Sequence, residues 1–140
     1  MSLTFDDKTK LLTTGENSRF INKGLKGLEK ESLRITHSGA ISKRPHPIKW
    51  GSALTNPHIT TDYSEALPEF ITPAFGDTDK TFDFLKDIHN FALSTIPQDE
   101  ILWNNSMPCR ISDDKDIPIA EYGKSNAGRM RHIYRLGLDY

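Results

Sequence analysis

The sequence predicts an α+β domain in which short antiparallel strands pack against a few helices. Three stretches, residues 25–36, 59–75 and 101–109, are extended in character, with turn chemistry or a helical stretch between them. Residues 78–95 instead place apolar side chains at helical spacing, and a second such stretch begins near residue 125. Short strands interrupted by helices of this kind favour an antiparallel sheet with flanking helices.

The composition limits the partners that the chain can have. Its 140 residues suit one compact domain, and the formal net charge of -1 gives no field that recruits nucleic acid. No apolar run approaches the roughly 20 residues of a membrane span, and the first ten residues lack the apolar stretch of a signal peptide. Cys109 is the single cysteine, so an internal disulfide is excluded. We therefore expect a cytoplasmic protein that binds neither nucleic acid nor membrane.

The first half of the chain predicts a tail, a hairpin and a long loop. Residues 1–16 are polar and predict a tail or helix-turn, whereas residues 17–140 form the domain proper. The strand at 25–36 is followed by the turn sequence "HSGA" and a short return that begins at Ile41. Residues 43–58 contain three prolines and predict an irregular connection.

The second half predicts two more strands and two helices. Residues 59–75 predict one strand, after which Asp77 can cap a helix that ends before Pro97. Residues 101–109 predict a third strand. The last helix, from about residue 125, carries one apolar stripe: Met130, Ile133, Tyr134 and Leu138.

Two glutamates stand two positions apart in "GLEKESLRI". A strand directs residues i and i+2 to the same face, so Glu29 and Glu31 point together, opposite Lys30 and Arg34. One interpretation is the solvent face of an edge strand. The other is a polar cavity, in which two like charges roughly 6–7 Å apart require a cation between them. Hard divalent ions with oxygen ligands, such as Mg²⁺, suit that role.

The second predicted strand also carries acids. Asp62 and Glu69 are seven residues apart, so a regular strand would direct them to opposite faces, and a shared site requires a bulge or bend near Pro68. Glu65 has the parity of Glu69 and is a further candidate. The alternative is an amphipathic strand with exposed acids.

Four ordered blocks make these motifs specific. They are "GLEKESLRI", "HP…GSALTNPHITTDYSEALPEFITP", "LWNNSMPC" and "IAEYGKSNAGRMRHIYRLGL". Together they resemble the N-terminal portion of bacterial glutamate–cysteine ligase, also called γ-glutamylcysteine synthetase. The resemblance runs from about residue 24 to the end of the chain and covers about the first quarter of the family's length.

The resemblance implies an ATP-dependent reaction and a particular fold. In this family ATP phosphorylates the γ-carboxylate of L-glutamate, and the amine of L-cysteine then displaces phosphate, which is the first step of glutathione synthesis. The implied fold is similar to that of glutamine synthetase, with an antiparallel sheet curved into a half-barrel. Magnesium ions at its base bridge protein carboxylates and ATP phosphates.

The resemblance also implies roles for individual residues. It assigns four metal-binding carboxylates: Glu29, Glu31, Asp62 and Glu69. Tyr122 matches a tyrosine of the cysteine pocket, and Tyr63 matches an aromatic residue beside it. Arg129, in the basic stretch "GRMRHIYR", is a candidate for binding phosphate or carboxylate. No side chain is singled out as catalytic.

Three functional hypotheses follow. In the first, residues 17–140 are the N-terminal portion of a ligase catalytic domain, truncated and inactive alone. In the second, the chain is a non-catalytic relative that retains Mg²⁺ or partner binding and self-associates through an exposed sheet edge. In the third, it belongs to a related carboxylate–amine ligase with another amine acceptor.

Overall fold

The computed structural model describes residues 2–121, with the backbone alone for Asn22. The predicted helix that begins near residue 125 lies outside this range. Three α-helices are present in it: α1 Phe5–Thr13, α2 Glu16–Lys23 and α3 Thr78–Thr95. Five strands accompany them: β1 Glu29–Glu31, β2 Leu33–Thr36, β3 Ile59–Thr61, β4 Pro68–Ile71 and β5 Glu100–Trp103.

The N-terminal segment forms a helical hairpin. Thr4 caps α1 with a reciprocal pair of bonds, in which its Oγ1 accepts from the Asp7 N–H and its own N–H donates to the Asp7 carboxylate. Gly15, at φ +62°, turns the chain into α2, which packs against α1. No residue of α1 is buried. The division of the chain at residue 16 stays a prediction.

The predicted strand at 25–36 is two strands that join different sheets. β1 pairs antiparallel with β4, whereas β2 pairs antiparallel with β5. β4 begins at Pro68, so beyond Glu31 the pairing continues only as single bonds from the N–H groups of Ser32 and Arg34 to the carbonyls of Pro68 and Ala66. The prediction of one continuous strand is wrong because its partner ends halfway along it.

The predicted strand at 59–75 is a hairpin instead. β3 and β4 pair antiparallel, with Thr61 opposite Pro68, and residues 62–67 form the turn between them. The Asp62 N–H donates to the Leu67 carbonyl, and the Ser64 hydroxyl accepts from the Ala66 N–H, which closes the turn without glycine. This side-chain turn is the bend between Asp62 and Glu69 that a shared site requires.

Helix α3 covers one face of the three-stranded sheet, whose strand order is β1-β4-β3. Asp77 caps this helix through the Asp79 N–H, and the helix ends at Thr95, as the sequence predicts. The core between helix and sheet is a single cluster: Trp50, Ile59, Phe70, Ala92 and Leu102. The structure therefore has small antiparallel sheets with flanking helices, in agreement with the predicted α+β class.

The proline-rich connection 43–58 is irregular, as predicted, and most of it is exposed, but Trp50 at its centre is buried. A short 3-10 helix, Ile48–Trp50, buries the Trp50 indole in the core, where its Nε1 donates to Thr95 Oγ1 at 2.9 Å. The Asn56 amide donates to the Trp50 carbonyl at 2.7 Å. The centre of this segment is thus attached to α3. In residues 2–121, no helix has the length and apolarity that crossing a membrane demands.

Candidate functional site

The alternation of β1 explains why its glutamates are separated from its lysine. Lys30 faces α3, where its Nζ lies 3.2 Å from His89 Nε2 and 5.9 Å from the centroid of the Phe70 ring. Glu29 and Glu31 therefore occupy the opposite face of the sheet, which α3 does not cover. Both are exposed, and β1 is an edge strand of its sheet.

Strand pairing brings two further carboxylates to this face. Glu69 lies in the central strand β4, directly opposite Glu31 on β1 and opposite Thr60 on β3. Residues opposite one another in an antiparallel pair share a face, so Glu31 and Glu69 are neighbours. Asp62 follows β3 immediately, at the start of the turn. Glu29, Glu31, Asp62 and Glu69 are called the carboxylate group below.

The electrostatics show that the four side chains affect one another. Partial burial raises the pKa of Glu69 above its ordinary value of 4.5, and the negative charges of Glu29, Glu31 and Asp62 raise it further. Within residues 2–121, no member of the carboxylate group takes part in an ion pair. The face therefore concentrates negative charge that these residues leave uncompensated.

The carboxylate oxygens of the carboxylate group are suitable ligands for a hard divalent cation, but they do not converge on one coordination site. In the described range, no three Asp, Glu, His or Cys side chains are arranged so that they could hold a metal ion. On exposure alone, Glu29 and Glu31 fit the edge-strand interpretation. Their pairing with Glu69 and Asp62 is what favours a cation site.

Glu65 does not join the carboxylate group. The chain reverses between Asp62 and Leu67, so strand parity does not apply to it. The Glu65 carboxylate is buried and accepts from the backbone N–H groups of His46 and Glu121, the latter at 2.7 Å. It lines a separate cavity of about 380 Å³. The prediction that made Glu65 a further candidate beside Glu69 is wrong for this reason.

The other predicted site residues are placed only in part. Tyr63 follows Asp62 in the turn and is half-buried, and its carbonyl accepts from the Ala120 N–H at 3.0 Å. This bond brings the end of the described chain beside the turn. Tyr122 and Arg129 lie outside the described residues, so their roles stay predictions.

Arg34 is a buried functional residue that the sequence analysis missed. Its side chain is 0% exposed, and Nε and Nη2 donate to Glu100 Oε2 at 2.9 and 2.7 Å. Nη1 donates to the carbonyls of Pro45 at 2.9 Å, Glu65 at 3.2 Å and Arg44 at 3.4 Å. No pattern within one segment marks this role, because the partner Glu100 is 66 residues away.

These features define an α+β protein with one helix-covered sheet face and one acidic face that carries four carboxylates. The sequence profile of the glutamate-cysteine ligase family matches residues 9–140, and the chain belongs to that family.

Individual relatives agree with the family match. The chain is 56% identical over 115 residues to a glutamate–cysteine ligase of Alcanivorax borkumensis. This alignment covers 82% of this chain and 22% of the relative. It is 50% identical over 129 residues to one of Pseudomonas putida, covering 92% of this chain and 24% of the relative. The chain thus spans about a quarter of the length of these relatives.

Two solved structures resemble this one. A glutamate–cysteine ligase of Francisella tularensis, solved in complex with AMP, matches with a TM-score of 0.74 and 42% identity over 84% of this chain and 23% of that one. A bifunctional glutathione synthetase of Pasteurella multocida matches with a TM-score of 0.69 and 36% identity over 74% of this chain and 15% of that one.

Proposed function

We propose that this chain supplies one wall of the active site of an ATP-dependent glutamate–cysteine ligase. The observation that carries the proposal is the carboxylate group on the open sheet face, whose charges have no cationic partner among residues 2–121. The family match supports the choice of reaction. The proposed product is γ-glutamylcysteine.

The proposed reaction has two steps. The γ-carboxylate of L-glutamate attacks the γ-phosphorus of ATP, which releases ADP and forms γ-glutamyl phosphate. The amine of L-cysteine then attacks the acyl carbon, the C–O bond to phosphate breaks, and the amine loses a proton. Phosphoryl transfer of this kind depends on charge neutralisation and alignment more than on covalent help from the protein.

The carboxylate group is proposed to hold Mg²⁺. Bound Mg²⁺ neutralises phosphate charge and aligns the transferred group. In this proposal Glu31 and Glu69, which lie opposite each other on β1 and β4, share one ion, and Glu29 and Asp62 contribute from either side. Oxygen ligands alone match the preference of Mg²⁺.

Three finer points belong to the same proposal. The AMP bound to the ligase of Francisella tularensis supports the use of ATP here. We propose that the small sheets described above are part of a glutamine synthetase-like half-barrel, and that the reaction is cytoplasmic. Tyr122 and Tyr63 are proposed to contact the cysteine substrate, and Arg129 to bind an anionic group.

A chimeric enzyme tests the proposal. The matching segment of the Pseudomonas putida ligase, 50% identical, is replaced by residues 9–140 of this chain. We expect phosphate release that requires ATP, glutamate and cysteine together, and a loss of at least 100-fold on Glu31→Gln. Asp83→Asn, which removes the same charge from the exposed side of α3, is the matched control.

Three outcomes would contradict parts of the proposal. A chimera that folds and releases no phosphate would reject the proposed reaction. Full activity in Glu31→Gln would reject the proposed metal role, and a preference for another amine would favour the related ligase. The 140-residue chain alone is expected to release no phosphate when given both amino acids.

Exposed apolar residues favour one second candidate, a binding module. Phe5 and Phe20 on the helical hairpin, and Leu25 after it, are mostly exposed. Sedimentation with and without Mg²⁺ separates the two functions, because a stable dimer at micromolar concentration supports the module. A chain that sediments as a monomer both with and without Mg²⁺ would contradict the self-associating module.

A further inference from the structure

We propose that Arg34 is a positioning residue that holds the turn 62–67, and with it Asp62, in place against β1. The metal-related part of this inference rests on the function proposed above. The structural part does not depend on that function: the guanidinium is one attachment of the turn, which residues 118–121 also hold through bonds to Tyr63, Ser64 and Glu65.

The guanidinium of Arg34 connects four segments of the chain. From β2 it reaches the Glu100 carboxylate on β5 and the carbonyls of Arg44 and Pro45 in the proline-rich connection. It also reaches the Glu65 carbonyl inside the turn at 3.2 Å. The Arg34 Cζ lies over the Trp50 ring, 5.8 Å from the ring centroid, which adds a cation–π contact with the core.

The backbone around Arg34 continues this connection to the turn. The Arg34 N–H donates to the Ala66 carbonyl at 2.7 Å, and the Ser32 N–H donates to the Pro68 carbonyl at 3.2 Å. Arg34 therefore attaches the turn at two carbonyls, those of Glu65 and Ala66, and Ser32 adds a bond to Pro68, the first residue of β4. Asp62 is tied to the far side of the same turn through the Leu67 carbonyl, at 3.0 Å. Movement of the turn would therefore shift Asp62 relative to Glu31.

The arrangement exceeds what stability alone demands. A buried ion pair is often no more stabilising than apolar side chains of similar volume, because desolvation offsets the attraction. The guanidinium, however, has a planar set of donors that a lysine ammonium lacks. Here those donors meet four carbonyl or carboxylate groups at fixed angles. We infer that geometry is the contribution of Arg34.

Hydrogen exchange of the full 140-residue chain tests the inference in the variant Arg34→Lys. The lysine keeps a charge beside Glu100 but cannot contact Pro45, Glu65 and Glu100 together. We expect the Ser32 and Asp62 amides to exchange at least tenfold faster, measured relative to the Ala92 amide in α3, which removes the effect of global stability.

A matched control separates positioning from general loosening. Thr95→Val removes the acceptor of the Trp50 indole N–H on the other side of the core. It should lower stability without changing the relative exchange of Ser32 and Asp62. Equal relative rates in Arg34→Lys and the wild-type chain would overturn the proposal, and so would a tenfold increase in Thr95→Val. If Arg34→Lys fails to fold, Arg34→Met combined with Glu100→Met is measured in its place, with the same expectation.

Mn²⁺, used as a probe for Mg²⁺, provides the second readout. We expect Arg34→Lys to weaken Mn²⁺ binding at least fivefold and Thr95→Val to change it less than twofold. If the wild-type chain binds no Mn²⁺, the proposed metal role fails, and the exchange experiment still decides the role of Arg34. If the wild-type chain and Arg34→Lys bind Mn²⁺ with equal affinity, the proposed link from Arg34 to the metal site is rejected.

Discussion

Residues 29–36 contain two sets of charged side chains that the fold treats in opposite ways: Arg34 on β2 is buried, whereas Glu29 and Glu31 on β1 are exposed. On β2, Arg34 is fully buried, and every nitrogen of its guanidinium donates to an acceptor. On β1, Glu29 and Glu31 face outward and join Asp62 and Glu69, all of one sign, with no ion pair among the described residues. The first set is compensated within the chain, and the second is not.

The contrast indicates which charges belong to the architecture and which to the site. Burying an ion is costly unless attraction and hydrogen bonds offset that cost, so a buried pair must be complete. Four carboxylates on one face repel one another, and folding alone gives no reason to collect them. A ligand of opposite charge supplies that reason. The predictions below measure the two sets against each other.

Removing one member of the buried pair should have the largest effect. Arg34→Met leaves the buried Glu100 carboxylate with the Ser42 hydroxyl and, at 3.6 Å, Arg44 Nε, so we expect the free energy of unfolding to fall by about 3–5 kcal/mol in urea titrations. Arg34→Met combined with Glu100→Met should recover most of the loss, because neither charge of the buried pair remains. A single variant within 1 kcal/mol of wild type, roughly the scatter of ordinary substitutions, would show that water reaches the pair.

Removing one carboxylate from the open face should affect ligand binding more than folding. We expect Glu31→Gln to weaken Mn²⁺ binding by the 140-residue chain at least tenfold, which corresponds to about 1.4 kcal/mol. Calorimetric titration measures this, with Asp83→Asn on α3 as the control for a lost charge. Equal weakening in both variants would mean that Mn²⁺ responds to net charge and not to a site.

The sequence predicted the carboxylate group better than the strands that carry it. Parity alone paired Glu29 with Glu31, and the bend needed between Asp62 and Glu69 exists as a turn. The prediction of two long strands failed because strand ends depend on the partner. β1 ends beside the first residues of β4, and the 62–67 turn is closed by the Ser64 side chain instead of by glycine. Periodicity within one segment carries no information about either event.

The role of Arg34 could not be predicted for a related reason. Its partner Glu100 is 66 residues away, at the start of a strand that pairs with β2. In sequence, Arg34 is one charged residue among apolar neighbours, and such residues are usually exposed. Burial of this arginine becomes evident only when acceptors from three other segments have been brought together around it.

Removing a repulsive charge should stabilise the metal-free chain. Glu69→Gln removes the like-charge repulsion with Glu31, which lies opposite on β1. We therefore expect the free energy of unfolding at pH 7 with EDTA to rise by about 0.2–1 kcal/mol. The folded pKa of Glu69 lies above its ordinary value of 4.5, so the fold favours the protonated form. Its contribution to stability is therefore present at low pH and is lost as pH rises through the folded pKa.

The pH dependence checks this assignment. The advantage of Glu69→Gln over wild type should be larger at pH 7 than at pH 4, where wild-type Glu69 is itself largely protonated. Saturating Mg²⁺ should reverse the order at pH 7, because the wild-type carboxylate then has a cation to bind. If the stability difference between Glu69→Gln and wild type is the same at both pH values, the neighbouring carboxylates do not destabilise ionised Glu69.

Removing one partner of an exposed ion pair should change the free energy of unfolding least, and this variant is the reference for the buried pair. Arg44 contacts Asp99 at 2.7 Å, as short as the bond from Arg34 to Glu100, yet both partners are more than half exposed. Water already solvates these charges, so we expect Asp99→Asn to change the free energy of unfolding by less than about 0.5 kcal/mol. Urea titration at low and high salt measures the change. A loss approaching that of Arg34→Met would mean that ion-pair distance, and not burial, governs the energetic difference between the charges of this chain.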